Sequence, residues 1–193
     1  MQHLEFAKKN SGRKDIETRL AGRFYTPMAI CETLAQQTLA TCDSPESVMD
    51  PFCGDGRLVV AWLRAASRKS GMLHRLRAIH LWDCDAKAVA LARNAVRDEL
   101  QTLNLCSVQI FDRCCDSFVT SAPEGSGLDL VITNPPWDLL KPDARDAMRN
   151  GAEYRDELRS YASRLGRDFP EAHSKRRKSI AGYGLNLARA GAL

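Results

Sequence analysis

Ser47-Val48-Met49-Asp50-Pro51-Phe52-Cys53-Gly54-Asp55-Gly56 reads as a short strand, Ser47 to Asp50, that runs into a glycine-containing turn. A helix is expected from about Leu58 to Arg68, with Leu58, Val59, Trp62 and Ala66 on its apolar face, and Ser70-Gly71 ends it. The same unit recurs downstream. Arg77 to Asp83 carries Ile79, Leu81 and Trp82 and reads as a second strand. Ala86 to Leu103 places Val89, Ala92, Val96, Leu100 and Leu103 on one face of a long helix. Ser107 to Phe111 reads as a third strand and Leu128 to Thr133 as a fourth. Upstream, Thr26-Pro27 opens a helix in which Ile30, Leu34 and Leu39 recur at helical spacing, until Asp43-Ser44-Pro45 breaks it. Strands that alternate with helices predict an α/β fold, an open and doubly wound parallel sheet with right-handed crossovers.

The 193 residues suit one domain, with residues 1–20 as a polar arm. An apolar fraction of 44% is ordinary for a soluble protein, and the net charge of +4 permits a nucleic-acid partner without requiring one. No apolar run is long enough to span a bilayer, and Met1-Gln2-His3-Leu4-Glu5 opens no signal peptide. Seven cysteines, an odd number with no Cys-x-x-Cys, predict reduced, buried thiols in a cytoplasmic protein. The four histidines do not pair with them at zinc-site spacing, so no metal is expected. After Trp137 the chain becomes heavily charged. Tyr154, Leu158, Tyr161, Ala162 and Leu165 form an apolar helix face beside Arg155, Arg159 and Arg164, and Lys175-Arg176-Arg177-Lys178 is a basic run that suits a DNA backbone or a solvated loop.

In an open parallel sheet the carboxyl ends of the strands line one crevice, and the chemistry-bearing residues fall on those ends. Gly54 and Gly56 let the backbone approach a ligand, although Gly-x-Gly serves equally as a tight turn. Val59 breaks the longer pyrophosphate fingerprint, and Asp50 and Asp55 repel phosphate and welcome an ammonium or sulfonium. Asp83, at the end of the second strand, suits the two hydroxyls of a ribose, while Asp85 suits the N-cap of the next helix. Near the end of the third strand, Asp112 or Asp116 either bonds an adenine amine or caps a turn.

Asn134-Pro135-Pro136-Trp137 follows the fourth strand. Two prolines hold the chain rigid and leave carbonyls without a local partner, the Asn adds an acceptor, and the Trp adds a flat apolar face. These groups suit a planar ligand with an amino group, such as a nucleobase with an exocyclic amine. The same Trp also suits a core position over the sheet.

With these residues in hand, the chain resembles the adenine-specific DNA methyltransferases of the gamma arrangement, which use S-adenosylmethionine and have a Rossmann-like class I fold. Gly22-Arg23-Phe24-Tyr25-Thr26-Pro27 is similar to the family's first motif, Asp50-Pro51-Phe52-Cys53-Gly54-Asp55-Gly56 to its cofactor motif, and Asp83 to its ribose acid. Asp116-Ser117-Phe118 resembles the adenine-contact motif, and Asn134-Pro135-Pro136-Trp137 the catalytic motif. The resemblance covers about residues 20–140. It implies that Phe24, Tyr25, Thr26, Pro27, Asp50, Pro51, Cys53, Gly54, Gly56, Asp83, Asp116, Ser117 and Phe118 bind the cofactor. It also implies that Asn134, Pro135, Pro136 and Trp137 act on a flipped adenine in DNA.

Trp137-Asp138-Leu139-Leu140-Lys141-Pro142 is similar to restriction-modification and phage-defence methylases. The family's sheet is fuller than the four strands legible here, and Gly182 to Ala190 looks like the start of its next helix. The catalytic domain, residues 21–193, is therefore expected to be incomplete: a partner chain supplying strands and target recognition, a truncated chain and a decayed reading frame are the competing explanations. Alone, it is expected to bind cofactor weakly and to transfer no methyl group. A non-catalytic subunit binding DNA or a partner, or an amino-methyltransferase of RNA or protein glutamine, are the alternative readings.

Overall fold

Strand β1, Ser47–Asp50, is buried along its whole length, because it has a neighbour on each side and packing on both faces. The computed structural model describes residues 25–118, 120, 127–135, 159–160 and 162–167. Within them the order is α1 (Met28–Thr38), β1, α2 (Arg57–Ser67), β2 (Ala78–Asp83), α3 (Ala86–Thr102), β3 (Gln109–Cys114) and β4 (Leu130–Val131). The four strands form one sheet in the order β3-β2-β1-β4, and every pairing is parallel. That is the start of a doubly wound sheet, and the strand order reverses between β1 and β4.

Side chains alternate across the sheet with the two-residue period of a strand. Val48, Ile79, Leu81, Leu130 and Ile132 join the main core with the helices, while Met49, Trp82 and Leu128 form a second cluster. Helix α2 packs against both α1 and α3 and buries Leu58, Val59, Val60, Ala61, Trp62, Leu63, Ala65 and Ala66. At the start of β4, the Asp129 carboxylate accepts the N–H groups of Glu46 (2.8 Å) and Ser47 (3.0 Å). This pair of bonds helps to hold a two-residue strand in register, Val48 against Leu130.

Several sequence expectations are corrected. The buried face of α1 is made by Cys31 and Ala35, not by Ile30, which is 50% exposed. Leu34 and Leu39 are partly buried and pack against the same core, as expected. Helix α2 ends at Ser67, and Gly71 lies beyond it in a turn. Strand β3 runs on to Cys114, where Asp83 and Cys114 pair; at the edge of the sheet among the described residues, it is mostly exposed and lacks the apolar run that sequence reading follows. Strand β4 is shorter than the apolar stretch around it.

All seven cysteines are free thiols, but Cys84, Cys106 and Cys114 are exposed rather than buried. Residues 162–167 are helical, with Ala162 and Leu165 buried and Arg164 exposed, as expected. The polar arm, Phe24, Pro136, Trp137, the stretch to Pro142, the basic run 175–178 and the tail 182–190 lie outside the described residues. Among the described residues no helix is long and apolar enough to cross a membrane.

Gly56 precedes α2 with a φ of +82°, and a Cβ there would lie 2.7 Å from the Ala92 Cα of α3. Gly54 has a φ of +52°, and its added Cβ would meet only the Tyr25 ring, at 3.2 Å. Backbone cannot yield as a ring can. Gly56→Ala is therefore expected to cost roughly 2–4 kcal/mol, from left-handed strain plus overpacking, and Gly54→Ala only about 1 kcal/mol. Urea unfolding of the two variants beside the parent checks the order; equal losses would refute the Gly56–Ala92 contact as its cause.

Candidate functional site

The turn after β1 is held from three directions. From β2, the Trp82 carbonyl accepts the Cys53 N–H at 2.8 Å, and the Asp83 carboxylate accepts the Gly54 N–H at 2.9 Å. From the segment after β3, Ser117 donates its hydroxyl proton to the Pro51 carbonyl, and the Phe118 ring lies 5.1 Å from that of Phe52. From the chain ahead of α1, the Tyr25 ring covers Gly54, and the Arg57 guanidinium stands 5.1 Å over that ring.

Asp50 ends β1 and is 1% exposed. Its Oδ1 accepts the Phe52 N–H (3.1 Å) and the Thr133 hydroxyl (2.8 Å). Thr133 follows β4, so this carboxyl bridges the point where strand order reverses. Next along the chain, the Asn134 side-chain amide donates to the Thr26 hydroxyl at 2.9 Å. Pro135 beside it is buried. The Tyr-Thr-Pro segment, the glycine turn, the β2 acid, the Asp-Ser-Phe turn and the Asn-Pro pair, read as separate motifs in sequence, thus converge on one crevice.

The acids divide the work unequally. Burial pushes the Asp50 carboxyl up to about 7; the bonds from Thr133 and Phe52 pull it down, and the Asp83 charge pushes it up again. Asp55 does not offer an open charge to a cation, because Arg57 clasps it through Nε (2.9 Å) and Nη2 (2.5 Å). Asp83 accepts the Gly54 N–H with Oδ2 and the Asp85 N–H with Oδ1, each at 2.9 Å, and its side chain also interacts with the Cys84 thiol; a carboxylate has acceptor sites beyond these. Asp85 caps α3 as expected, accepting the Lys87 N–H at 3.0 Å. Asp112 lies within β3 and pairs with Arg93 at 3.2 Å, which takes it out of the crevice. Asp116 instead accepts the Phe118 N–H at 2.9 Å and shapes the turn.

Gly56 meets a constraint that sequence reading did not name, the close approach of α3. Cys53 is buried, and burial together with the Asp50 and Asp83 charges pushes its thiol well up, so it is no nucleophile. Sequence reading passed over Arg57, Thr133 and Phe52. Arg57 Nη1 also donates to the Thr26 carbonyl at 3.2 Å. No local spacing signals a bond to a residue so far back in the chain.

The donor set fits a nucleoside with a positively charged tail. Asp83 has acceptor capacity at the end of β2, the Phe52–Phe118 pair is apolar, and Asp50 titrates near neutrality. No group of His, Cys, Asp and Glu among the described residues is placed to hold a metal ion.

Comparison with known proteins bears on this crevice. Residues 11–166 match the family model described as N-6 DNA methylase. A solved structure from Listeria monocytogenes, described as a class I S-adenosylmethionine-dependent methyltransferase, aligns with 18% identity and a TM-score of 0.41 over 64% of this chain and 34% of that one. The chain thus spans about a third of that protein's length. No curated protein matches.

The Asp50 carboxyl titrates higher in the folded chain than in the unfolded one, so the stability it contributes is fully present below 3.8 and is lost as pH rises through about 7. Asp50→Asn keeps an acceptor and removes the charge. Its melting temperature relative to wild type is expected to rise between about pH 4 and about pH 7. A difference that does not vary with pH, measured by thermal denaturation, would refute the buried titration.

Proposed function

The chain belongs to the N-6 DNA methylase family, and from that membership we propose that it transfers a methyl group from S-adenosylmethionine to the exocyclic N6 amine of adenine in DNA. The observation that carries the reading is the placement of Asn134 and Pro135 beside the glycine turn, joined to it through Thr133 and Asp50.

The cofactor supplies a methyl group on a sulfonium, an electrophile that needs no enzyme nucleophile. The chain's own residues then do three things. Asp83 would hold the ribose hydroxyls, and the Asp116-Ser117-Phe118 turn would flank the cofactor's adenine. The Asn134 amide oxygen and the Pro135 carbonyl each accept one N–H of the target amine. The lone pair of that amine is delocalised into the ring, so the two bonds favour a tetrahedral nitrogen and stabilise the charge that grows on it. The N–C bond forms as the S–C bond breaks, and the product amine gives its extra proton to water. By the family resemblance, Trp137 would stack on the flipped base.

In this reading a partner chain supplies further strands and target recognition. Native mass spectrometry of the purified assembly tests this.

Radiolabelled methyl transfer to unmethylated plasmid DNA, followed by nucleoside analysis, tests the reaction. Label is expected in N6-methyladenine. Asn134→Ala is expected to lower transfer by roughly 10²–10³ while the cofactor Kd stays within about twofold. Label in another nucleoside, or equal loss of transfer and cofactor affinity in the variant, would overturn the reading.

A further inference from the structure

Thr26 and Asn134 are 108 residues apart in the chain, yet the Asn134 side-chain nitrogen lies 2.9 Å from the Thr26 hydroxyl oxygen. We propose that Thr26 is a positioning residue for methyl transfer, which fixes the rotation of the Asn134 amide so that its oxygen faces the target amine. The inference rests on the reading above. It departs from the cofactor-binding role that the resemblance implies for Thr26.

A primary amide has one end that donates and one that accepts, and the two are nearly the same shape. An Asn that must accept a hydrogen bond from a base amine needs something to choose its orientation. A hydroxyl oxygen that takes the NH2 end makes that choice and turns the carbonyl oxygen to the opposite side. The anchor must itself be fixed, and Thr26 is. It is buried, with the whole residue 9% exposed. Its carbonyl accepts from Arg57 Nη1 (3.2 Å) and from Cys31 Sγ (3.6 Å). Arg57 is in turn clasped by Asp55. Pro27 follows, which keeps Thr26 out of the helical region and sets the start of α1. From the other side, Thr133 is tied to Asp50, so the backbone just before Asn134 is also held. The amide is therefore gripped at both its root and its donor end.

This gives the Tyr25-Thr26-Pro27 segment a function that its position far ahead of the catalytic strand does not suggest. It also gives Asp55 and Arg57 a use: they hold the anchor rather than receive a cation.

The test has an arm that does not depend on turnover. In a chain labelled with ¹⁵N at asparagine, the Asn134 side-chain signal is identified by its loss in Asn134→Ala. Thr26→Val, of nearly equal shape, is expected to move that signal upfield, and Thr26→Ser to restore it. Cofactor Kd by calorimetry is expected to stay within about twofold in both variants. In the assembly that methylates DNA, Thr26→Val is expected to lower kcat by roughly 10- to 100-fold, as a misplaced reacting group does, and Thr26→Ser to recover most of it. An Asn134 signal that ignores Thr26→Val would overturn the proposal. So would a cofactor affinity that falls in step with turnover, which would return Thr26 to the cofactor. Should no assembly methylate DNA, the proposed function fails while the signal still reports the Thr26–Asn134 bond, so the two failures are distinguishable.

Discussion

The backbone of Gly56 lies so close to α3 that a single added carbon would meet the Ala92 Cα, and much of the rest of the structure depends on that approach. It brings the beginning of α2 down onto α3 and leaves α2 sunk among its neighbours, with eight of its residues buried. Its exposed positions, Arg64 and Ser67, are polar, and the rest of its surface is mostly apolar. The turn before it has no freedom left. Its amides are taken by Trp82 and Asp83, and its carbonyl at Pro51 by Ser117. The crevice is thus built on a rigid floor, the condition under which donors and acceptors act without reorganising.

Charge in the crevice is arranged by burial and pairing more than by the number of acids. Of the acids around the glycine turn, Asp50 sits where its charge is costly, Asp55 is neutralised by its neighbour but one, and Asp83 is shared between two backbone amides. A cation that binds here would meet a carboxyl able to ionise in response. That sets this turn apart from a phosphate cradle, in which free N–H groups point at the ligand.

Two bonds join the cofactor side of the crevice to the side that would meet a base: Asp50 to Thr133, and Thr26 to Asn134. Both end on adjacent residues after β4. Strand β4 is only two residues long, so sheet pairing alone holds this segment weakly. The side-chain bonds, together with Asp129 at the strand's other end, carry that duty. An acceptor aimed at a reacting amine needs such support, since small displacements of reacting groups are expensive in rate.

The sequence by itself determined the alternation of strand and helix, the crevice at the strand ends, the capping of α3 by Asp85 and the positions of Asp50, Asp83 and Asn134 within that crevice. Each of these follows from local pattern: apolar period, turn residues, and the residue type at a strand's end. It misread part of α1, where small Cys31 and Ala35 rather than bulky Ile30 face the core, and it misread β3, which is mostly exposed at the edge of the sheet among the described residues and lacks the apolar run. Only the tertiary structure decided that Gly56 serves α3, that Asp55 belongs to Arg57, that Asp112 leaves the crevice for Arg93, and that Thr26 holds Asn134. The physical reason is common to most of these. A pattern of a few residues encodes which way the chain runs and which face is apolar, but a hydrogen bond between residues 108 positions apart exists only once the sheet has brought the ends of its strands together.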